Sequence, residues 1–176
     1  SSMVRLRLTA SGNALHLAHE VDQQLKKVLP IIEKYVFGFD EDTLQEIVGK
    51  LLLKSGKKLA LAESCTGGYI SHLITSIPGS SVYYTGSIVA YAYEIKEDYL
   101  DVPKQVLASK GAVSEEVVVQ MAKQVKEDFK TDYAIAVSGI AGPDGGTPDK
   151  PVGTVWIAVA TPGHVTAKRY QFGTNR

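Results

Sequence analysis

The stretch LALAESCTGGYISHLITSI, residues 59–77, decides how the chain is read. It opens with the apolar run Leu59, Ala60, Leu61 and Ala62, which has the length and composition of a buried strand. It breaks at Glu63-Ser64-Cys65-Thr66-Gly67-Gly68 and resumes with Ile70, Leu73, Ile74 and Ile77 at helical spacing. Thr66 is placed as the helix N-cap, and Gly67 and Gly68 let the backbone approach a ligand closely. A hydroxyl at such a strand-to-helix turn faces a ligand, and the first N–H groups of the helix offer hydrogen bonds to an anion. Ser64 is then set for attack on a carbonyl, with backbone amides holding the oxyanion. The same residues also suit a tight turn that merely needs small side chains, and the short motif alone does not choose between the two.

Working outward, Val4 to Thr9 alternates apolar and polar residues and predicts a strand with one wet face. A helix follows Ser11-Gly12-Asn13, with Ala18, Val21, Leu25 and Val28 as its buried stripe and a break near Pro30. Ile31 to Phe37 reads as a second strand. Asp40 or Asp42 is expected to cap the next helix, whose apolar face is Leu44, Ile47, Val48, Leu51 and Leu52. Beyond the central stretch, Tyr84 to Tyr93 reads as a strand and Glu94 to Asp101 as a short helix. Pro103 starts another helix. Ser114 caps a longer one with Val117, Val118, Met121, Val125 and Phe129 on its core face. Tyr133 to Ser138 is a buried strand leading into the glycine-rich loop 139–153, and a hairpin turning at Pro162-Gly163 closes the chain. Strands alternating with helices, then a hairpin, predict an α/β fold, a three-layer α/β/α sandwich with a mixed sheet. A small α+β segment precedes it.

The 176 residues suit one main domain with a short extra segment, the boundary falling near Gly38 to Asp42. Nineteen basic and nineteen acidic residues cancel, so no global field draws in nucleic acid or an anionic membrane. Arg5, Arg7, Lys26, Lys27 and Lys34 read as a solvated face, because no GxxG loop is present to clamp a nucleic-acid backbone. The single cysteine excludes an internal disulfide and fits a reducing, cytoplasmic setting. No apolar run approaches the roughly 20 residues of a membrane span. Ser1-Ser2-Met3 reads as an expression scar.

A serine nucleophile needs a base. None of the four histidines (His16, His19, His72, His164) is well placed by the sequence, and no cluster has metal-ligand spacing. A lysine with an ordinary pKa of ~10.4 is charged at neutral pH, but burial among apolar neighbours lowers that value. Lys96 directly follows the strand at 84–93. It is either a lowered-pKa base or an ordinary surface lysine in a Lys-Glu-Asp helix start. Cys65 is either a second nucleophile or a small packing residue, the latter favoured by the lack of a neighbouring histidine. The loop from Ser138 through Gly139 and Gly142 to Gly146 follows a strand, where open sheets bind ligands, and lacks the P-loop and dinucleotide spacings.

The blocks AESCTGG (62–68), IPGSS (77–81), AYAYEIK (90–96), GAVSEEVV (111–118) and SGIAGPDGGTPDKPVGTVW (138–156) closely resemble the CinA family of competence/damage-inducible proteins. The C-terminal domain of that family is a nicotinamide mononucleotide (NMN) amidase. The resemblance spans about residues 42 to 176 and implies an amidase domain over 41–176. Residues 1–40 resemble part of the KH-type linking domain that precedes it. The resemblance implies a Ser–Lys mechanism with Ser64 as nucleophile and Lys96 as base. Tyr91 would orient the lysine or relay its proton. Amides from Cys65, Thr66, Gly67 and Gly68 would hold the oxyanion, and Ser138, Gly139, Gly142 and Arg176 would place the substrate. The implied reaction is hydrolysis of NMN to nicotinic acid mononucleotide and ammonia, without cofactor or metal. The expected partners are that small molecule and a second copy of the chain in a dimer, with neither nucleic acid nor membrane. This sequence has Tyr93 where the family commonly has Asn, and Gly173-Thr174-Asn175-Arg176 where it has Gly-Asp-Arg. The alternative is a nucleotide-binding or assembly module of a multidomain CinA protein with weak or no amidase activity.

Overall fold

The structure is a computed structural model that describes residues 4–12 and 14–173. Backbone contacts divide it after Asp42 into two units. In the first, residues 4–10 form no strand, and neither does 31–37. One helix, α1 (Ala14–Ile32), continues through Pro30, and a 3-10 turn follows at Glu33–Tyr35. Alternation supplies a wet and a dry face but no pairing partner, and a lone strand leaves its amides unpaired. Within α1 Val21, Leu25 and Val28 are half-buried, whereas Ala18 is exposed.

The second unit begins with a capping box that replaces the expected aspartate cap. Thr43 Oγ1 accepts the Glu46 N–H while Glu46 Oε2 accepts the Thr43 N–H at 2.9 Å, opening α2 (Leu44–Ser55). Asp42 instead accepts the Phe39 N–H. Gly56, left-handed at φ 63°, ends the helix. The remaining elements are β1 (Leu59–Glu63), α3 (Tyr69–Thr75), β2 (Tyr84–Val89), α4 (Tyr93–Leu100), α5 (Lys104–Lys110) and α6 (Glu115–Asp128). They are followed by β3 (Tyr133–Gly139), β4 (Thr154–Ala160) and β5 (Val165–Gln171).

The sheet order is β2-β1-β3-β4-β5, with β1 parallel to both neighbours and the two hairpin strands antiparallel beyond β3. β1 is buried along its whole length and divides its side chains by the period of two. Ala60 and Ala62 join Leu100, Val117, Val118, Met121 and Val125 in the core under α4–α6. Leu59 and Leu61 meet Leu52, Ile74 and Tyr83 on the opposite face. The α6 side of the sheet is paved with fully buried alanines (60, 62, 134, 136, 158, 160), small enough for α6 to lie close. On the other side Gly49 of α2 makes room for Tyr83, since a Cβ there would stand 2.6 Å from the phenol oxygen. Helices on both faces of a mixed sheet make the three-layer sandwich expected.

Register sets where chemistry can occur. Glu63 pairs with Val89 on one side and Val137 on the other. The residues that come next, Ser64, Ala90 and Ser138, therefore gather at the carboxyl edge of the three parallel strands, where open α/β sheets take ligands.

Candidate active site

Ser64 leaves β1 with its amide still bonded to the Val137 carbonyl at 3.0 Å, and the chain then turns sharply. Gly67 (φ 58°) and Gly68 (φ 95°) supply the left-handed conformations the turn requires. Gly68, not Thr66, is the N-cap of α3, and it offers no side chain. The capping comes from Glu63, a fully buried carboxylate at the end of β1. Its Oε2 accepts the Gly68 and Ile70 N–H groups at 3.1 Å each, and its Oε1 accepts the Ser71 N–H at 2.8 Å and the Ser71 hydroxyl at 2.6 Å. Tyr84 of β2 in turn donates its hydroxyl to Ser71 Oγ at 2.8 Å. Burial alone would raise the Glu63 pKa, but bonds from Ser71 and the helix amides hold it below the usual carboxylate value. Removing a carboxylate from water costs several kcal/mol. Charge-assisted bonds at ~1.5–3 kcal/mol each offset that only as a set.

This arrangement corrects the expectation that the start of α3 is open to an anion. Gly68 N–H is committed to Glu63, and Gly67 N–H to the Ser64 carbonyl at 3.0 Å. Neither is available to an oxyanion.

Lys96 sits on the first turn and a half of α4 and is fully buried. Its Nζ lies 3.2 Å from Ser64 Oγ and 3.2 Å from the Tyr91 carbonyl, with the Ala90 carbonyl closer still. No carboxylate pairs with it among the described residues. A neutral amine satisfies this set fully: two N–H groups donate to the two carbonyls, and the lone pair faces the serine hydroxyl. Burial pushes the Lys96 pKa below its ordinary value, and only the charge of Cys65 pulls it back up.

Tyr91 meets the lysine through its main-chain oxygen, while its side chain is 63% exposed at the cleft. The contact with Lys96 therefore does not involve the phenol. Ser138, 1% exposed, donates its hydroxyl to the Ala112 carbonyl at 2.8 Å. Gly139 is required by packing, because a Cβ there would stand 2.7 Å from Val155 Cγ2 and 3.1 Å from Cys65 Sγ. Ser64, Cys65, Tyr91, Lys96, Ser138, Gly139 and Gly142 line one cleft of about 310 Å³. Thr66, Gly67 and Gly68 belong to the turn but not to the lining of the cleft. Arg176, with Thr174 and Asn175, lies outside the described residues.

Other residues of the cleft escaped the sequence reading of the site. Ala112 and Val113 arrive from the link between α5 and α6, and Asp144 and Gly145 from the far side of the glycine loop. Tyr93 holds the first of these walls, its phenol oxygen accepting the Ala112 N–H at 3.3 Å. Glu63 was visible only as a lone charge at the end of an apolar run. That position is itself a signal, because a buried acid needs donors and a helix start supplies them.

The sequence and the fold have known counterparts. The CinA C-terminal domain pattern matches residues 41–176. The chain belongs to that family. A CinA-like protein of Cytophaga hutchinsonii is 55% identical over 174 residues, covering 98% of this chain and 42% of that protein. One from Thermotoga neapolitana is 42% identical over 173 residues, covering 98% and 41%. The chain thus spans about two fifths of the length of the curated relatives it matches. Among solved structures, the competence/damage inducible protein CihA of Agrobacterium tumefaciens superposes with a TM-score of 0.74 at 36% identity, covering 79% of this chain and 85% of that one. A CinA superfamily protein of Escherichia coli gives 0.73 at 30% identity, covering 82% and 87%. Among the described residues of this CinA domain, no helix is long and apolar enough to cross a membrane.

Proposed function

We propose that this domain hydrolyses the carboxamide of nicotinamide mononucleotide, giving nicotinic acid mononucleotide and ammonia. The observation that carries the reading is the 3.2 Å contact between Ser64 Oγ and the Nζ of a fully buried lysine. Membership of the CinA family supplies the substrate. Ser64 Oγ attacks the amide carbon as the Lys96 amine takes its proton. The resulting oxyanion is met by main-chain N–H groups at the start of the turn, where Cys65 lines the cleft. Lys96 then returns the proton to the amide nitrogen, the C–N bond breaks, and ammonia leaves an ester on Ser64. Water attacks that ester with Lys96 again as base, freeing the acid and restoring the serine hydroxyl. Ser138 and the loop through Gly139 and Gly142 hold the nucleotide against the nucleophile.

Ammonia release from the nucleotide, with the acid product weighed by mass spectrometry, tests the reading. The wild-type chain is expected to show turnover and Ser64→Ala none above ~10⁻³ of it. If the wild-type chain releases no ammonia yet binds the nucleotide, the domain is a binding module. If Cys65→Ala is silent and Ser64→Ala active, the thiol is the nucleophile.

A further inference from the structure

Ser64 and Lys96 account for the proposed chemistry, but neither accounts for Glu63, a fully buried carboxylate one residue before the nucleophile. The two neighbouring side chains go opposite ways, Ser64 toward Lys96 on α4 and Glu63 toward α3. The turn that joins them to α3 has little stiffness of its own. Gly67 and Gly68 both lie in the left-handed region and carry no side chain to hold it. Gly68, as N-cap, offers α3 no oxygen, and the four bonds to the Glu63 carboxylate take that role. The clamp is braced from β2. Ser71 Oγ, which donates to the carboxylate, accepts the Tyr84 hydroxyl and lies 2.8 Å from Ser87 Oγ. The main chain of Glu63 reaches toward the base as well. Its carbonyl accepts the Ala90 N–H at 2.8 Å, and the Ala90 carbonyl accepts from Lys96.

We infer that Glu63 is a positioning residue: its carboxylate locks the start of α3 and, through the glycine turn, holds the Ser64 hydroxyl against the Lys96 amine. This role rests on the Ser64–Lys96 reading of the site. Misplacing a reacting atom by ~1 Å costs on the order of 10²-fold in rate. A clamp one residue from the nucleophile therefore acts on turnover as well as on stability. It acts through geometry and not through charge. The anion faces the N–H groups of α3, whereas burial lowers the Lys96 pKa and Cys65 alone opposes that shift.

Two rates in Glu63→Gln, corrected for the folded fraction, test this role. One is turnover of nicotinamide mononucleotide, and the other is displacement of fluoride from diisopropyl fluorophosphate by Ser64, mapped by mass spectrometry. Both kcat and the labelling rate are expected to fall about 30-fold, with KM within about twofold and the midpoint of the kcat/KM pH profile unmoved. Val125→Ala truncates a buried side chain in the last turn of α6, outside the cleft lining, and should lose stability without either rate. Ser71→Ala keeps the three main-chain bonds to the carboxylate and removes the hydroxyl, and should slow labelling about fivefold. An unchanged labelling rate in folded Glu63→Gln overturns the role, as does an unchanged rate in Ser71→Ala where Glu63→Gln does not fold. A shifted pH midpoint in Glu63→Gln overturns it too, since the carboxylate would then act as a charge. A wild-type chain that releases no ammonia, yet whose Ser64 labelling slows in Glu63→Gln, ends the amidase reading and leaves the positioning role standing. A wild-type Ser64 that neither turns over nor takes the label ends both.

Discussion

A lysine stands near each end of β1, Lys57 two residues before the strand and Lys96 on α4 beside Ser64, and the two are treated in opposite ways. At the N-terminal end, Lys57 Nζ sits 2.7 Å from Asp132 Oδ1, and the other oxygen of Asp132 accepts the Lys58 N–H at 2.9 Å. The hydrogen bond to Asp132 raises the pKa of Lys57, and the same bond lowers that of Asp132. Near the C-terminal end, Lys96 is fully buried with no carboxylate beside it among the described residues, and burial lowers its pKa. The first arrangement keeps charge in order to fasten β1 to the start of β3. The second disfavours charge, which is what a base needs. An ion pair is therefore the mark of a structural lysine in this sheet, and isolation is the mark of a chemical one.

The contrast breaks most visibly at Lys96. Lys96→Arg keeps a cation but removes the proton acceptor, because guanidinium stays protonated. Turnover of the nucleotide amide is expected to fall by at least about 10³-fold with the circular-dichroism spectrum unchanged. An active arginine variant would end the comparison. The wild-type pH profile sharpens it. The ascending limb of kcat/KM should have its midpoint below the ~10.4 of an ordinary lysine, and a midpoint at or above that value would mean the amine is not desolvated in solution.

Glu63 comes next. Glu63→Gln replaces an acceptor oxygen by an NH₂ facing N–H groups, and is expected to cost ~2–4 kcal/mol of stability in denaturant unfolding. The Glu63 pKa is lowered by folding, so its contribution is complete above the carboxylate's ordinary value and is lost as pH falls through the lowered one. The difference between Glu63→Gln and wild type should accordingly shrink in acid. The smallest effect belongs to the other end of the strand. Lys57→Met breaks an exposed pair and should move the melting midpoint by no more than about 2 °C, with turnover untouched.

Much of this was legible in the residues, and the misses share causes. The run 59–62, the core stripe of α6 and the hairpin at Pro162-Gly163 appear where their periodicity put them, because burial on a sheet or helix face imposes that pattern. Thr43-x-x-Glu46 is a legible capping box that the nearby aspartates obscured. Val4 to Thr9 alternates like a strand, but alternation describes faces and says nothing about whether a neighbour exists to pair with. The site divides the same way. Ser64 and Lys96 meet because parallel registers bring 63 beside 89, which an alternating strand-and-helix pattern implies. Tyr91 acts on the lysine through a carbonyl that any residue type possesses, so its side chain carried no hint of that contact. Ala112 and Asp144 come from separate loops, and only the closed fold makes them neighbours.

The burial of Lys96 also ties the making of the base to the making of the fold. In the unfolded chain the side chain holds its proton up to its ordinary pKa of 10.5, and in the native state it releases it at lower pH. Between those two values the unfolded chain binds more protons, so native stability rises with pH and each folding event expels a proton to the buffer. Folding heats measured across that window in buffers of different ionisation enthalpy should differ accordingly. Within that window the loss of the Lys96 proton is part of assembling the domain.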